Sequence, residues 1–326
     1  MVELGKKHIC IDIGGTKVLG AILDEKDNIT FKVKKKTKAD KGIEKIEERI
    51  IDVVDELIKQ SGTDKKEIAA IAAGAPGVIN EETGELIYAP NLPWKNYDLK
   101  KVIEDKFGIP FYIGNDANLG MLGEWKYGAA ANKENVVGIF VGTGIGGGLI
   151  INNKLFTGKR HDAGELGHMI LNTEGPYCNC GQRGCFEAYA SKVAITREIN
   201  TQIKRGRKTV LKDFIEEDSV IKSKALKTAI EAKDSVAIEV MDNAIYYLAA
   251  GTGNLINIFS PDMVVLGGGV LESLGDYIMP RLKDCVKRFT LPELLNGTEI
   301  AQSKLGDDAI IYGALAVIKG KRDSKK

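Results

Sequence analysis

The sequence predicts an α/β protein built from two related domains. The chain has 326 residues, of which 44% are hydrophobic and 28% are charged. That composition is ordinary for a globular protein, and the length is enough for two separate cores. Strand-like and helix-like segments alternate along the chain, which is the pattern of α/β folds. A hairpin of two apolar strands joined by a glycine turn occurs in each half of the sequence.

The first 120 residues alternate strand-like and helix-like patterns. Short apolar runs bounded by turn residues predict strands, and apolar residues at helical spacing predict helices. The predicted strands are 9–13, 18–23, 29–33, 68–73 and 111–113, and the predicted helices are 43–58, 99–107 and 117–127.

A second set of elements begins at residue 136. Strands are predicted at 136–141, 149–151 and 263–266; a loop-rich segment at 153–186; mostly helix from 187 to 259; and a terminal helix at 307–319 before a polar tail that should fray. The two glycine hairpins align without a gap, Gly14 on Gly142 and Gly20 on Gly148. This similarity favours an internal duplication, although any two glycine hairpins share some of it.

Bulk properties argue against several classes of protein. The 46 basic and 45 acidic residues leave a net charge of +1, which offers no general attraction to nucleic acid or membrane surfaces. No segment approaches the roughly 20 apolar residues needed to span a bilayer. The apolar stretch 9–13 is too short for a signal peptide and contains Asp12. We therefore expect a cytoplasmic protein without nucleic-acid or membrane partners.

The two glycine turns are the first chemical signal. Glycines let backbone N–H groups converge on an anion without obstruction by Cβ atoms. Asp12 could hold hydrated Mg²⁺, while Thr16 and Lys17 could meet phosphate oxygens. No Walker A sequence occurs in the chain. The match to G-x-G-x-x-G at 142–147 is not followed by a predicted helix, so we do not interpret it as a dinucleotide motif.

Asn115 and Asp116 lie where a predicted strand ends and a helix begins. A carboxylate held there could act in catalysis, but Asn and Asp are also common helix N-caps. On spacing alone the cap is the better interpretation. Only the nearby phosphate signals favour a catalytic role.

A cysteine cluster predicts a structural zinc site. Cys178, Cys180 and Cys185 lie within eight residues, and His168 completes a tetrahedral set. His161 or an acidic residue is the alternative fourth ligand. Cys10 and Cys285 are isolated and are expected to be buried thiols.

Zinc in this loop would hold two carboxylates, Glu165 and Glu187, near one another. Together with Asn115 and Asp116 they suit a polyhydroxylated ligand, and His168 could bind metal through one ring nitrogen and a hydroxyl through the other. The alternative is two surface acids beside a zinc knuckle. A last glycine run, Gly267–Gly268–Gly269, follows a predicted strand and could either approach an adenine or simply lead into a helix.

Taken together, these motifs resemble the ROK family of repressors and sugar kinases, and its glucokinase members most closely. The similar motifs are Asp12-Ile13-Gly14-Gly15-Thr16-Lys17 and Gly142-Thr143-Gly144 for phosphate, Gly267-Gly268-Gly269 for adenosine, and Glu165-x-Gly167-His168 with Cys178-x-Cys180-Gly181-x-x-Gly184-Cys185-x-Glu187 for zinc and sugar. The resemblance covers nearly the whole chain, and no position of the zinc and sugar signature departs from the family pattern.

The resemblance implies the actin-like ATPase (ribonuclease H-like) fold, with two duplicated α/β domains and a cleft between them. The final helix would return to the first domain, so the domains would be 1–117 plus about 307–326, and 118–306. By carry-over, Asp116 is the catalytic base, and the sugar ligands are Gly77, Asn115, Asp116, Glu165, His168 and Glu187.

The implied activity is transfer of the γ-phosphoryl group of ATP, with Mg²⁺, to glucose. Zinc would be structural, and relatives are often dimers or tetramers. The segment 89–94 resembles glucokinases and favours glucose. The alternatives are a kinase for fructose, mannose, allose or an N-acetylhexosamine, a polyphosphate-using enzyme, and a non-catalytic sugar-sensing regulator. We expect no DNA-binding helix-turn-helix before Asp12, because too few residues precede it.

Overall fold

The computed structural model describes residues 7–81, 83–89, 92, 94–214 and 219–323. Contacts divide it into two compact units. The first comprises the chain up to Ala131, Leu155–Ala163 and Asp308 onward; the second comprises Asn132–Lys154 and Gly164–Asp307. The sequence-based division after residue 117 differs from these bounds by one helix and by residues 155–163, and it stays a prediction.

Strands and helices alternate in both units. The strands are β1 (Lys7–Ile13), β2 (Lys17–Leu23), β3 (Ile29–Lys36), β4 (Ile68–Ala75), β5 (Val78–Asn80), β6 (Glu85–Tyr88), β7 (Lys95–Tyr97), β8 (Phe111–Asn115), β9 (Val136–Val141), β10 (Ile145–Ile151), β11 (Lys154–Leu155), β12 (Met263–Gly267) and β13 (Glu299–Gln302). The α-helices are α1 (Ile43–Ser61), α2 (Leu99–Phe107), α3 (Asp116–Tyr127), α4 (Glu187–Ala190), α5 (Lys192–Lys204), α6 (Ser223–Glu231), α7 (Ser235–Phe259), α8 (Gly269–Cys285), α9 (Pro292–Asn296) and α10 (Ala309–Asp323).

The main sheet of the first unit has the strand order β3-β2-β1-β4-β8. The β1–β2 and β2–β3 pairs are antiparallel, whereas β1–β4 and β4–β8 are parallel. Alternate residues of β1 enter two apolar cores, because neighbouring side chains of a strand point to opposite faces. Ile9 and Ile11 pack in the core that includes α1 and α2, and Cys10 packs in the core that includes α3 and α10.

The second unit repeats this sheet. Its order is β11-β10-β9-β12-β13, with β9–β10 antiparallel and β9–β12 and β12–β13 parallel. The shared order and directions confirm the predicted duplication. The ungapped alignment of the two hairpins is correct for their first strands but is shifted by one residue for their second strands. Ile13 pairs with Val18, whereas Val141 pairs with Ile145, so the second pair is separated by one residue fewer than the first.

Several elements differ from the sequence predictions. The short strands β5–β7 and β13 were not predicted, and β10 begins at Ile145, four residues before the apolar run at Leu149. Because β10 is a strand, the structure confirms that G-x-G-x-x-G is not a dinucleotide motif here. In the segment 89–94, Pro90, Asn91 and Pro93 lie outside the described residues, as do residues 324–326 of the tail.

Across the residues that the structure describes, no helix has both the length and the apolar character needed to span a membrane.

Candidate active site

The parallel strands of the first unit bring Asp12 and Asn115 to one edge of its sheet. Asp12, near the end of β1, pairs with Gly74 of β4, and Asn115 ends β8 opposite Ala75. Because neighbouring strands lie about 4.8 Å apart, the ends of β1 and β8 are about 10 Å from each other. Asp12 is buried, with 8% of its surface exposed. The predicted magnesium ligand Asp12 therefore lies at the same edge of the sheet as Asn115, the residue before the predicted base Asp116.

The turn between β1 and β2, residues 14–16, forms the first glycine turn. Within this turn, the amide of Gly14 donates to the carbonyl oxygen of Lys17 at 2.9 Å. Thr37, fully buried just after β3, donates from its amide to the oxygen of Thr16 (3.0 Å) and from Oγ1 to the oxygen of Gly14 (2.6 Å). In the described part of the chain no group accepts from the amides of Gly15 and Thr16, which are both exposed residues. Such amides can bind an anion.

Asn115 and Asp116 have separate roles at the start of α3. Asn115 is the N-cap: its Oδ1 accepts from the amide of Asn118 at 3.0 Å, and its Nδ2 donates to the carbonyl oxygen of Gly77 at 3.0 Å. Asp116 is the first helical residue, and its Oδ1 accepts from the amide of Ala117 at 2.8 Å. Asn115 is therefore the cap, Asp116 accepts from one amide of the first turn, and the catalytic role of Asp116 stays a prediction.

Gly77 occupies a position that requires glycine. Its φ is 104°, and a Cβ there would lie 2.1 Å from the carbonyl oxygen of Tyr88. At Gly77 the chain therefore passes very close to Tyr88, and the hydrogen bond from Asn115 links this position to the start of α3. The sugar contacts expected of Gly77 and Asn115 stay predictions.

The turn between β9 and β10, residues 142–144, forms the second glycine turn. Gly142 donates from its amide to the oxygen of Gly144 at 2.9 Å, and the oxygens of Gly142 and Thr143 accept from the amides of Lys192 (3.0 Å) and Val193 (3.3 Å). Among the described residues nothing accepts from the amides of Thr143 and Gly144. Both glycine turns thus have engaged carbonyl groups and amides without an acceptor.

The glycine run after β12 lies beside the second glycine turn. Gly267 pairs with Phe140 of the parallel strand β9, so the ends of both strands share one sheet edge. Gly268 has a φ of 88°, and a Cβ there would lie 2.5 Å from the oxygen of Val141. Gly269, the first residue of α8, has nothing within 4 Å of its Cβ position. The run is a helix entry, and its predicted adenosine contact stays a prediction.

The four residues of the predicted zinc site form one cluster, with His168, Cys178, Cys180 and Cys185 placing their ligand atoms within 4.8 Å of one another. The Nδ1 of His168 lies 3.8 Å from the Sγ of Cys178, and the Sγ atoms of Cys180 and Cys185 are 3.7 Å apart. Ligands about 2.3 Å from a tetrahedral zinc ion would lie roughly 3.8 Å from each other. The donor set and its spacing fit zinc.

Burial affects the thiols of this cluster. It raises the pKa of Cys178 to about 12 and also raises the pKa of Cys185, which is fully buried. A divalent cation would favour the thiolate forms and displace these protons. The loop itself is closed by backbone hydrogen bonds, Cys178 to Gln182 and Gly184 to Pro176, both 2.8 Å.

The two carboxylates flank the cluster in different environments. Glu187, the first residue of α4, accepts through Oε2 from the amide of Ile145 at 2.8 Å, and its Oε1 accepts from the thiol of Cys178 at 3.6 Å. Glu165 is exposed, and its carbonyl oxygen accepts from the amide of His168 at 3.0 Å. The sequence identified both residues, but it did not indicate the contact of Glu187 with the second glycine turn.

The ROK family model matches residues 8–321. The chain belongs to the ROK family. It is 32% identical over 318 residues to a glucokinase from Halalkalibacterium halodurans, covering 97% of this chain and 96% of that protein. It is also 32% identical over 275 residues to a xylose repressor from Caldicellulosiruptor bescii, covering 84% of this chain and 68% of that protein.

Among solved structures, a ROK family glucokinase from Streptomyces griseus in complex with glucose and AMPPNP aligns with a TM-score of 0.83 and 30% identity, over 95% of this chain and 98% of that one. Together with the repeated sheets, this similarity establishes the actin-like ATPase fold that the sequence predicted.

Proposed function

We propose that this ROK protein transfers the γ-phosphoryl group of ATP to the 6-hydroxyl of a hexose, and that the hexose is glucose. The observation that carries the proposal is the pair of glycine turns, because each offers backbone amides without an acceptor among the described residues. Two such turns suit a ligand with several phosphates. Similarity to glucokinases along almost the whole chain supports the acceptor.

The nucleotide would be held by the two glycine turns and by the residues next to them. Amides of the two glycine turns and the side chains of Thr16 and Lys17 would bind phosphate oxygens, and the run Gly267–Gly269 would contact the adenosine. Asp12 would bind hydrated Mg²⁺, which when bound neutralises charge on the phosphates. Asp12 suits this role because it is buried at the end of a strand, where the surrounding backbone limits its movement.

Asp116 would act as the base. As the hexose oxygen forms its bond to the γ-phosphorus, the bond from that phosphorus to the bridging oxygen of ADP breaks, and the hydroxyl proton passes to the Asp116 carboxylate. A loose transition state needs this proton to leave only late, so a carboxylate is basic enough. Such help is worth about 10²- to 10⁴-fold in rate.

The sugar hydroxyls would be bound by Asn115, Glu165, His168 and Glu187, with Gly77 beside them. Zinc would keep the ring of His168 in place through Nδ1, the nitrogen that faces Cys178, so that Nε2 could meet a hydroxyl. Elemental analysis of the purified protein should therefore find one zinc per chain.

Replacing Asp116 by Asn tests the proposal. We expect D116N to retain hexose binding and to lose at least about a hundredfold in kcat, because the amide cannot accept the proton. The matched control is D98N. Asp98 caps α2 through Oδ1, which accepts from the amide of Lys101 at 2.9 Å, and Asn caps a helix equally well. Turnover of D116N near that of the wild type would refute the role.

A second candidate is a sugar-responsive regulator without catalysis, because a xylose repressor is as similar in identity as the glucokinase. The two functions differ in one observable. A regulator would bind a sugar with no consumption of ATP, and D116N would then change nothing but affinity.

A further inference from the structure

Glu187 connects the metal cluster to the second glycine turn. Its Oε2 accepts from the amide of Ile145, the residue that follows the turn, and its Oε1 lies 3.6 Å from the Sγ of Cys178. We propose that Glu187 is a positioning residue for the second glycine turn, and that a metal ion in the cluster strengthens nucleotide binding through it. This inference rests on the proposed function, because it assumes that the turn binds phosphate.

The carboxylate of Glu187 lies directly against the backbone of the second glycine turn. A Cβ at Gly144 would lie 2.2 Å from the Oε2 of Glu187. The carboxylate therefore packs directly against the turn backbone while it accepts from Ile145. The amides of Lys192 and Val193 hold two carbonyl groups of the same turn. Displacement of Glu187 would thus remove one of the few contacts that define the orientation of the amides at 143 and 144.

On the side of the cluster, the position of Glu187 is fixed by its neighbours in the chain. Cys185 is a predicted metal ligand, and Phe186 between them is fully buried. The amide of Phe186 donates to the oxygen of Met169 at 2.8 Å, and a Cβ at Gly251 would lie 2.7 Å from its ring. A metal ion that orders Cys185 would therefore order Glu187 as well, through the buried Phe186 between them.

The coupling between metal binding and nucleotide binding must be reciprocal. If metal in the cluster raises nucleotide affinity, nucleotide raises metal affinity by the same factor. A residue that only binds sugar would show neither effect when no sugar is present. Experiments without hexose therefore separate a positioning role of Glu187 from its predicted contact with sugar.

The test measures the dissociation constant of Mg–ADP by calorimetry, without hexose, in the zinc-loaded full-length protein. We expect E187A to bind about tenfold more weakly, because the hydrogen bond to a charged acceptor is lost. E187Q should stay within about twofold of the wild type, because its amide oxygen can still accept from Ile145. E174Q is the matched control, since Glu174 is an exposed acid of the same loop. Unchanged affinity in E187A would overturn the proposal.

A second readout does not depend on nucleotide. Hydrogen exchange of the peptide that contains Ile145 should be faster in E187A and in C180S, which removes an exposed ligand and should fold. The control C285S should leave it unchanged, as should the peptide over residues 14–17 in every variant. Failure of the wild-type protein to bind Mg–ADP would reject the proposed function, whereas unchanged exchange at Ile145 in E187A and C180S would reject the positioning role itself.

Discussion

Thr37 illustrates what a single residue contributes that sequence motifs do not reveal. It makes two hydrogen bonds to the carbonyl groups of the first glycine turn, yet it lies 20 residues beyond the motif and follows a run of lysines. The glycines and Lys17 could be identified because turn chemistry restricts the residue types. Thr37 could not be identified, because its role depends on the register of β2 with β3.

Replacing Thr37 by Val should loosen the first glycine turn. The valine keeps the shape but loses the hydroxyl that donates to Gly14, so we expect the KM for ATP to rise about fivefold, in line with the loss of one buried hydrogen bond. Steady-state kinetics would measure this. The control is T30V, because Thr30 also donates from Oγ1 to a carbonyl oxygen in the same sheet, that of Ile22. Equal effects of both variants would contradict the assignment.

His8 makes the stability of the protein sensitive to acid. Burial, then the charges of Arg322 and Lys319, lower its pKa to about 4, and Asp27 opposes them. An unfolded chain protonates its histidine near pH 6.5, so between pH 6.5 and 4 the unfolded state binds more protons than the folded state. The free energy of unfolding should therefore fall by up to about 3 kcal/mol as the pH drops through this window.

Denaturation curves between pH 4 and 7 would measure the effect of His8. H8Q should flatten the dependence of unfolding free energy on pH, whereas H161N should retain it. Identical slopes in H8Q and the wild type would show that other groups cause the acid sensitivity.

At the scale of elements, the contact between α3 and α10 depends on two glycines. A Cβ at Gly313 would lie 1.9 Å from the carbonyl oxygen of Leu119, and one at Gly123 would lie 2.1 Å from that of Ala309. The two helices therefore meet backbone to backbone in the first unit. Apolar spacing predicts that both segments are helical, but it does not indicate which residues allow this close approach.

We expect G313A to lower the free energy of unfolding by about 2 kcal/mol or more, because the helices must separate. The control lies in the same helix: Gly320 has nothing within 4 Å of its Cβ position, so G320A should be neutral or stabilise by up to about 1 kcal/mol. Urea denaturation of both variants measures the difference. A G313A protein as stable as G320A would disprove the close contact.

The sequence predicted the long helices and the buried strands because their apolar patterns extend over many residues. It missed β5 to β7 and β13, which have only three or four residues and little alternation. It also placed the glycines of β10 in a turn. Gly147 is in fact inside the strand, where a Cβ would lie 2.4 Å from Leu166. The strand needs glycine at this position because Leu166 packs so closely against it.

At the scale of the whole molecule, duplication explains why two glycine turns exist. Each sheet opens with the same antiparallel hairpin and continues with two parallel strands. In each unit a different element holds the turn: Thr37 after β3 in the first, and the start of α5 in the second. The repeat could be predicted from the hairpins, whereas these supports could not, because they come from parts of the two halves that no longer resemble each other.

The central claim is that this ROK protein phosphorylates a hexose with ATP. Its most direct test is a coupled assay of ATP consumption by the zinc-loaded protein over a panel of hexoses and N-acetylhexosamines. We expect turnover with the highest kcat/KM for glucose, formation of glucose 6-phosphate, and loss of that turnover in D116N. Binding of a hexose without turnover on any sugar of the panel would rule out this kinase activity and favour a sugar-sensing regulator.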